Sequence, residues 1–508
     1  MASRGGLASQ NDGSLLARLV ECTKAFWLFG LTTFGGPSAN IVYLRRMFVS
    51  KKKWIDEKTF QDCFGIASAL PGPAFSQLTF TVALLRGGIL CGVWSFVLGT
   101  FPGSIAMIAL GYGVKNIPPD LPEAVLSLFT GLNSAAVGLI ALAAYQLSHK
   151  AVTDHLSAIM LFVSAAAATC YQSEWLFPVL MFSAGLITYI VDESEYHLAQ
   201  YRARRERHQP SQSPEPDVPT LRSHPAVEEI ALTPIQPALL AGSEQDDNKG
   251  INLPSETSIR SRLVGERSSI RDEVDEEVAI EPKTYGLGVK AGVAALIAFV
   301  VAFVVLLGIR AVLPGNRAYN FFCNCMLVGT IIFGGGPVVI PLLRGYTVAP
   351  GYVTSTQFLF GFALLQALPG PFFNFAAFLG ILVVADNPPL GAFLGLVGIF
   401  SPGLIVQLAV LPIYGHLREK RATRSILRGI IAAAVGLVYA ATWRLFNAGV
   451  VRNVVQGHSA STSLATDGWW VVLAALSFAM CDERFKVQPP FAIIAGAVGG
   501  VLKWAVTR

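Results

Sequence analysis

Charged residues are scarce in this chain of 508 residues: Asp, Glu, Lys and Arg make up 14% of it, against about 25% in soluble domains. Hydrophobic residues make up 53%, and several long windows contain no charge at all, the longest being residues 345–385. About 20 apolar residues cross the hydrocarbon core of a bilayer as a helix. The composition therefore excludes a soluble domain and predicts a polytopic α-helical membrane protein.

Catalytic and metal-binding patterns are also lacking. The uncharged windows contain no paired carboxylates, no H-E-x-x-H and no serine in a G-x-S-x-G setting. The cysteines show no metal-ligand spacing and are expected to be small core residues: Cys22, Cys63, Cys91, Cys170, Cys323, Cys325 and Cys481. We therefore expect no enzyme activity, no cofactor, no metal and no nucleic-acid partner.

Polar residues are concentrated in one central segment that is rich in Pro and Ser. Its apolar surface is too small to offset the entropy lost on ordering, which predicts a disordered linker. The expected organisation is an N-terminal tail (1–19), a first membrane repeat (20–192), the linker (193–285), an extra transmembrane helix (286–313) and a second membrane repeat (314–508).

The two membrane regions carry the same motifs in the same order. Four motifs of the first region recur in the second at a nearly constant interval: Phe34-Gly35-Gly36-Pro37 as Phe333-Gly334-Gly335-Gly336-Pro337, Leu70-Pro71-Gly72-Pro73 as Leu368-Pro369-Gly370-Pro371, Pro102-Gly103 as Pro402-Gly403, and residues 131–139 as 429–437. Matches in register indicate an internal duplication, which is common in secondary transporters. The apolar helix at 288–310 has no counterpart, and one unpaired crossing turns the second copy upside down.

The basic loops favour hairpins at the Pro-Gly-Pro breaks. Lys and Arg near membrane ends favour the cytoplasm. The basic clusters at 51–53, 149–150, 202–207 and 418–424 cannot all lie there if every apolar segment crosses once, but they do if residues 59–85 enter and return at Pro71-Gly72-Pro73. Residues 345–385 suit the same hairpin from the other face. The predicted fold is an all-α polytopic membrane protein of two homologous, inverted-topology repeats with broken, re-entrant helices meeting at the midplane. The linker is expected in the cytoplasm, with the plasma membrane as the default location.

Helix breaks deep in a membrane suggest a binding site. Non-helical backbone at that depth survives only where protein buries it or where it lines an aqueous cavity. A helix N-terminus presents unpaired N–H groups and a partial positive charge, which attract anions. We expect four helices to begin at the prolines of the breaks and to converge on one anion site: Pro37, Pro73, Pro337 and Pro371. Ordinary proline kinks are the alternative interpretation.

The predicted substrate-binding residues are those of the breaks and the polar side chains close after them. In the first repeat they are Gly35, Gly36, Pro37, Ser38, Asn40, Arg45, Pro71, Gly72, Pro73, Ser76 and Gln77. In the second repeat they are Gly335, Gly336, Pro337, Arg344, Pro369, Gly370, Pro371 and Asn374. The two arginines hold matching places and would attract an anion electrostatically. A cytoplasmic anchor at a helix end is the alternative for the first of them.

These motifs resemble those of the chromate ion transporter family. That family's repeat carries F-G-G-P, a downstream Trp in a W-[IL]-x context, matched here by Trp54-Ile55-Asp56, and L-P-G-P followed by small and polar residues, here Ser76-Gln77. The resemblance implies two fused repeats of opposite orientation that move chromate, a tetrahedral dianion similar to sulfate. The second repeat departs from the pattern, because it has an added glycine and no tryptophan.

The expected function is secondary-active transport of a tetrahedral oxyanion, chromate or sulfate, by alternating access. An anion channel of the same architecture is the alternative, and a non-transporting sensor would leave the duplicated breaks unexplained. Titratable carboxylates occur only at the window edges, at Glu21, Asp62 and Asp386. The sequence therefore leaves open the coupling ion, proton or sodium, and whether the protein forms a homodimer.

Overall fold

The computed structural model describes residues 14–32, 41, 43–118, 121–171, 176–208, 288–312, 315–333, 336, 339–365, 367–414, 420–452, 462–485 and 487–507. Within these ranges, seven helices are long and apolar enough to cross a membrane. The prediction of a polytopic α-helical membrane protein is confirmed. The predicted linker lies outside the described residues from residue 209 onward.

The first repeat contributes eight α-helices to the described residues. They are α1 (Leu15–Phe26), α2 (Phe29–Thr32), α3 (Glu57–Ala69), α4 (Ala74–Gly87), α5 (Ile89–Lys115), α6 (Glu123–Ala151), α7 (His155–Cys170) and α8 (Leu176–His208). Short polar side chains start three of them, since Ser14, Asp56 and Asp154 each accept a backbone N–H of the first turn. A π-helical turn at Arg46–Lys51 precedes α3.

The second repeat and the extra helix supply nine more in the described ranges. They are α9 (Val289–Val312), α10 (Arg317–Ile331), α11 (Val339–Thr347), α12 (Ser355–Leu365), α13 (Phe375–Val383), α14 (Pro388–Val410), α15 (Arg421–Phe446), α16 (Gly468–Cys481) and α17 (Pro489–Thr507). The unpaired crossing predicted at 288–310 corresponds to α9. By position in the repeats, α3 to α8 correspond to α12 to α17.

The equivalent helices α6 and α15 run in opposite directions. The hydroxyl of Thr130, near the start of α6, accepts from the N–H of Val451, which follows the end of α15, at 3.1 Å. Ser148, near the end of α6, accepts instead from the hydroxyl of Tyr439 at 3.2 Å. Because these helices carry the same motif, their antiparallel contact places the repeats in opposite orientations.

The repeats exchange their last helices. Helix α6 packs against α16 and α17 of the second repeat, and α15 packs against α7 of the first. A Cβ added at Gly131 of α6 would overlap the carbonyl of Gly496, and one at Gly429 of α15 would overlap the carbonyl of Ala184 in α8. Small residues allow membrane helices to approach this closely. Each repeat therefore completes its packing with helices of the other.

Large apolar side chains are exposed on several of the long helices. Phe182 and Phe393 are 63% and 62% exposed, and α9 has apolar side chains exposed along its length, including Ile297 and Val304. Contiguous exposed apolar surface on this scale marks contact with lipid or another protein. Since the same helices have membrane-spanning length, these faces belong against the acyl chains.

Candidate functional site

The first Leu-Pro-Gly-Pro motif breaks a helical hairpin. Helix α3 ends at Ala69 and α4 begins at Ala74, and the two pack against each other. Their 13 and 14 residues are each about 20 Å long, less than the thickness of about 30 Å of a bilayer core. Gly72 has a φ of +121°, a conformation that glycine adopts readily. Its N–H donates to the carbonyl of Ile332 in the second repeat at 2.8 Å.

The second motif makes a similar break. Helix α12 leads into it, Gly370 has a φ of +108°, and a single 3₁₀ turn at Phe372–Asn374 precedes α13. The ring of Phe372 lies where a Cβ on Gly336 would stand, so the glycine-rich motif before α11 contacts the Pro-Gly-Pro break of the same repeat.

The expectation that α-helices begin at Pro73 and Pro371 is off by one residue and by one turn, respectively. Pro73 is the N-cap of α4, with extended backbone, and Pro371 is the N-cap of the 3₁₀ turn rather than of α13. A proline has no side-chain acceptor, and neither N-cap makes a side-chain capping bond. Helix N-termini leave N–H groups without intrahelical partners, so two uncapped helix starts face the breaks.

Each break packs on the Pro-Gly step of a long helix in the other repeat. The side-chain amide of Gln77, in α4, donates to the carbonyl of Gly403, in α14, at 3.0 Å, and to that of Pro71 at 2.7 Å. The side-chain amide of Asn374 donates to the carbonyl of Thr100, in α5, at 3.2 Å, and its oxygen accepts from the hydroxyl of Ser104 at 3.2 Å. The two breaks thus make matching, crossed contacts between the repeats.

The backbones meet closely at both crossings. A Cβ on Gly103 of α5 would lie 2.5 Å from both the Asn374 amide nitrogen and the Pro369 carbonyl oxygen. A Cβ on Gly403 of α14 would lie 3.1 Å from the Gln77 amide nitrogen and 3.2 Å from the Pro71 carbonyl oxygen. A larger residue at Gly103 would push the second break away from α5, whereas at Gly403 the first break would have to yield by a few tenths of an ångström.

The polar side chains at the crossings are fully enclosed. Gln77, Asn374 and Ser76 are 0%, 1% and 3% exposed. The amide of Gln407, one turn along α14, donates to the hydroxyl of Thr81 in α4 at 3.0 Å. Among the described residues, the side-chain oxygens of Gln77 and Gln407 have no hydrogen-bond partner. Buried polar groups left unpaired are unusual in native structures and call for an explanation, such as a ligand or a functional motion.

The structure does not bring the two predicted arginines into these crossings. Arg45 is exposed and forms a salt bridge with Glu57, at 2.8 Å. Arg344 lies in α11 and donates to the hydroxyl of Ser355 at 3.4 Å. Seven further predicted residues lie outside the described residues and remain predictions: Gly35, Gly36, Pro37, Ser38, Asn40, Gly335 and Pro337.

Several residues of the crossings were not singled out from the sequence as site residues. They are Thr81, Thr100, Gly103, Ser104, Gly403 and Gln407. The signal that could have found them is the repeated Pro-Gly step inside α5 and α14, which the sequence analysis used only to align the repeats. Thr100, Ser104 and Gln407 lie within a turn or two of that step, whereas Thr81 lies in α4, one turn after Gln77.

The two repeats also match one known family. The sequence pattern described as "Chromate transporter" matches residues 20–189 and 319–501, one match for each repeat and more than half of the chain. The chain belongs to the chromate transporter family. This membership confirms the family resemblance and the expectation of a membrane transporter rather than an enzyme.

Curated relatives extend over most of the chain. A "Chromate transport protein" of Pseudomonas aeruginosa is 24% identical and covers 82% of this chain and 78% of its own length. A "Probable chromate transport protein" of Synechococcus elongatus is 24% identical over 96% of both chains. An uncharacterized transporter of Methanocaldococcus jannaschii is 23% identical over 83% of this chain and 82% of its own. No solved structure matches this chromate transporter family member significantly.

Proposed function

We propose that the protein is a secondary-active transporter that carries chromate, or another tetrahedral oxyanion such as sulfate, by alternating access. The names of relatives that match along nearly the whole chain support chromate as the cargo. The observation that carries the proposal is the pair of uncapped helix starts after Pro73 and Pro371, each set against a helix of the other repeat. Such helix ends attract anions through their N–H groups and their dipole.

In this proposal the anion binds between the two breaks. The N–H groups at the starts of α4 and of the 3₁₀ turn supply the central donors, and the glycines let an oxyanion approach the backbone. Gln77 and Asn374 now donate to the carbonyls of Gly403 and Thr100. When substrate binds, both side-chain amides let go of these carbonyls and donate to the anion instead. Hydrogen bonds to the anion then take the place of the hydrogen bonds between the repeats.

Alternation follows from the crossed contacts. One contact joins α4 to α14 and the other joins the second break to α5. Because the repeats have opposite orientations, a rocking motion that separates one pair opens the site toward one face, and separation of the other pair opens it toward the opposite face. A motion of this kind moves the anion without an open pore.

The cargo and the mechanism are tested by flux into proteoliposomes. Purified protein is reconstituted, and uptake of radiolabelled chromate, sulfate and phosphate is measured with imposed pH or sodium gradients. We expect chromate and sulfate uptake that unlabelled anion on the opposite side accelerates, and a gradient dependence that identifies the coupling ion. Uptake without such acceleration, at a rate that does not saturate, would identify a channel instead. No uptake of any of the three anions would refute the proposal.

The site is tested by placing a negative charge in it. Asn374→Asp is isosteric but faces the anion with a carboxylate, so we expect loss of oxyanion uptake. Asn116→Asp, on an exposed asparagine at the end of α5, is the matched control and should leave uptake unchanged. Thermal unfolding of both variants shows whether they fold. Normal uptake by a folded Asn374→Asp protein would place the anion elsewhere.

We also propose an orientation in which the basic clusters at 51–53, 149–150 and 418–424 face the cytoplasm, with the linker on the same side and the plasma membrane as the location. The excess of Lys and Arg near these membrane ends supports it. Labelling of single cysteines introduced at Lys150 and Lys503 with a membrane-impermeant maleimide in intact cells tests this assignment. Accessibility of position 150 from outside would reverse it.

A further inference from the structure

The two repeats differ in how they neutralise their matching arginines. In the first repeat, Arg45 pairs with the carboxylate of Glu57, the first residue of α3, at 2.8 Å. The equivalent positions in the second repeat are Arg344 and Ser355, the first residue of α12, and the contact is a hydrogen bond of 3.4 Å to a neutral hydroxyl. The residue before it also changes, from Asp56 to Thr354. The second hairpin therefore starts without the carboxylates of the first.

A second arginine adds positive charge on a neighbouring helix. Helix α11, which carries Arg344, packs against α15, which carries Arg444, so the two guanidinium charges repel each other. Arg444 donates to the carbonyls of Ala168 and Tyr171 at the end of α7. Within the described residues neither arginine forms a salt bridge, and the Nε atoms of both are buried without a hydrogen-bond partner. Two partly buried cations that repel each other are costly unless an anion joins them.

The N-terminal end of α12 adds positive electrostatic potential beside Arg344. Thr354 and Gln357 cap the helix reciprocally, each side chain accepting the backbone N–H of the other residue at 3.1 Å. Ser355, next to the cap, is 6% exposed. The N-terminal end of a helix carries partial positive charge, so its dipole favours an anion at the position where Arg344 meets Ser355.

We infer that Arg344, Arg444 and Ser355 form a second anion site, separate from the breaks, that takes a tetrahedral dianion. The inference rests on the proposed function and names the place where the oxyanion is first captured. Guanidinium groups bind oxyanions through paired N–H donors, and two of them balance a dianion. The hydroxyl of Ser355 supplies a further donor.

The position of this site suits capture at one mouth of the protein. Arg444 is near the C-terminal end of α15, whose N-terminal end carries Arg421 and Arg428. The site is therefore at the membrane face opposite to that basic cluster. From Ser355, the 11 residues of α12 run about 16 Å to the second break. An oxyanion held at this mouth lies one half-length helix away from Pro371.

The sharpest test restores the first repeat's ion pair in the second. In Ser355→Glu, the new carboxylate is expected to pair with Arg344 as Glu57 pairs with Arg45, and so to displace the anion. We expect the concentration of sulfate or chromate needed for half-maximal uptake by proteoliposomes to rise at least tenfold, with little change in the maximal rate. Arg344→Gln and Arg444→Gln should raise it similarly. The control Arg86→Gln, on an arginine of the first repeat that forms a salt bridge with Glu21 at 3.2 Å, should leave it unchanged.

Binding measured without transport separates this inference from the proposed function. Sulfate is expected to raise the thermal unfolding temperature of the detergent-solubilised parent protein, and Ser355→Glu and Arg344→Gln should reduce that shift while remaining folded in buffer. If the parent takes up no oxyanion, the proposed function fails; if it does and these variants keep the parent's concentration dependence, only the second site fails. Should Ser355→Glu not fold, the two glutamine variants decide the matter.

Two outcomes would assign these arginines to something other than a free oxyanion. If phosphatidylglycerol, but not sulfate, protects the parent protein from unfolding, the pair binds a lipid phosphate and the inference is overturned.

Glu174, which follows Tyr171 in the sequence, lies outside the described residues. Glu174→Gln should bind sulfate as the parent does. A tenfold gain in affinity in that variant would show that a carboxylate already occupies the pair.

Discussion

The side-chain amide of Gln77 in one repeat donates to the backbone carbonyl of Gly403 in the other at 3.0 Å. The counterpart of this bond runs in the opposite sense, from Asn374 of the second repeat to Thr100 of the first at 3.2 Å. Both bonds are buried, and both start within a turn of a Pro-Gly-Pro break. Because these two hydrogen bonds join the repeats at the breaks, substitutions there should change both stability and transport.

Gln77→Leu keeps the volume of the side chain but removes its donors. The carbonyls of Pro71 and Gly403 then lose their partner in a buried site. We expect a loss of about 1–3 kcal/mol in the free energy of unfolding and a strong reduction in oxyanion uptake. Thermal unfolding and proteoliposome flux measure the two effects. Gln61→Leu, on an exposed glutamine of α3, is the control, and an equal effect of both variants would contradict the role given to Gln77.

Gly103→Ala and Gly99→Ala add the same methyl group to α5, one helical turn apart. At position 103 the methyl would lie 2.5 Å from the Asn374 amide and the Pro369 carbonyl, whereas at position 99 its nearest neighbour is a methyl group of Thr79 at 3.8 Å. We expect Gly103→Ala to destabilise the protein by about 1–3 kcal/mol through overpacking and to slow transport.

Gly99→Ala, by contrast, should stabilise the protein by up to about 1 kcal/mol because alanine favours a helix. Denaturation of the two variants in the same detergent checks both signs. The packing described between the repeats is wrong if Gly103→Ala is as stable as Gly99→Ala.

Gly72→Ala tests the conformation of the first break. Its φ of +121° is strained for any residue with a Cβ, and that Cβ would lie 2.8 Å from the Gln77 amide nitrogen. We expect a loss of at least about 1–2 kcal/mol in stability and impaired uptake. Gly345→Ala, at a glycine of α11 with no atom within 4 Å of its added Cβ, should leave the protein as stable as the parent or slightly more stable. A harmless Gly72→Ala would mean that the break has another backbone conformation.

Asp467 gives a pH dependence of stability away from the site. Lys503 forms a salt bridge with it at 2.6 Å, and the hydrogen bond from Lys503 lowers the pKa of the Asp467 carboxyl below its ordinary value of 3.8. Since the folded pKa is the lower one, the stabilisation is complete above pH 3.8 and is lost as the pH falls through the folded pKa. Parent and Asp467→Asn should differ in thermal unfolding at pH 6, and the difference should shrink as the pH falls below 3.8. A difference that does not depend on pH would exclude this ion pair as its source.

Much of the fold could be predicted because long apolar windows without charged residues identify membrane helices directly. The hairpin predicted over residues 59–85 is observed as Glu57–Ala69 and Ala74–Gly87, since the Pro-Gly-Pro break and the absence of charge fix its middle and its length. The 3₁₀ turn after Pro371 was not predicted, because local sequence does not distinguish it from the first turn of an α-helix.

The partners within the candidate site could not be predicted from sequence. The pairing of Gln77 with Gly403 joins residues that are 326 positions apart, and it depends on which helix of one repeat crosses which break of the other. The same limit applies to Arg45: its motif position matches that of Arg344, but only the three-dimensional contact with Glu57 shows that its charge is neutralised. Duplication aligns the halves of such a chain, and it does not reveal where they touch.

The exchange of helices between the repeats bears on how this polypeptide is assembled. Because α6 packs against α16 and α17, while α15 packs against α7, the amino-terminal half finishes its synthesis with the 29 residues of α6 still lacking these neighbours. Severed within the linker and produced as two pieces, the halves are each expected to be unstable alone and to recover activity only when made together. The transporter is therefore expected to complete its packing only after α17 has been synthesised.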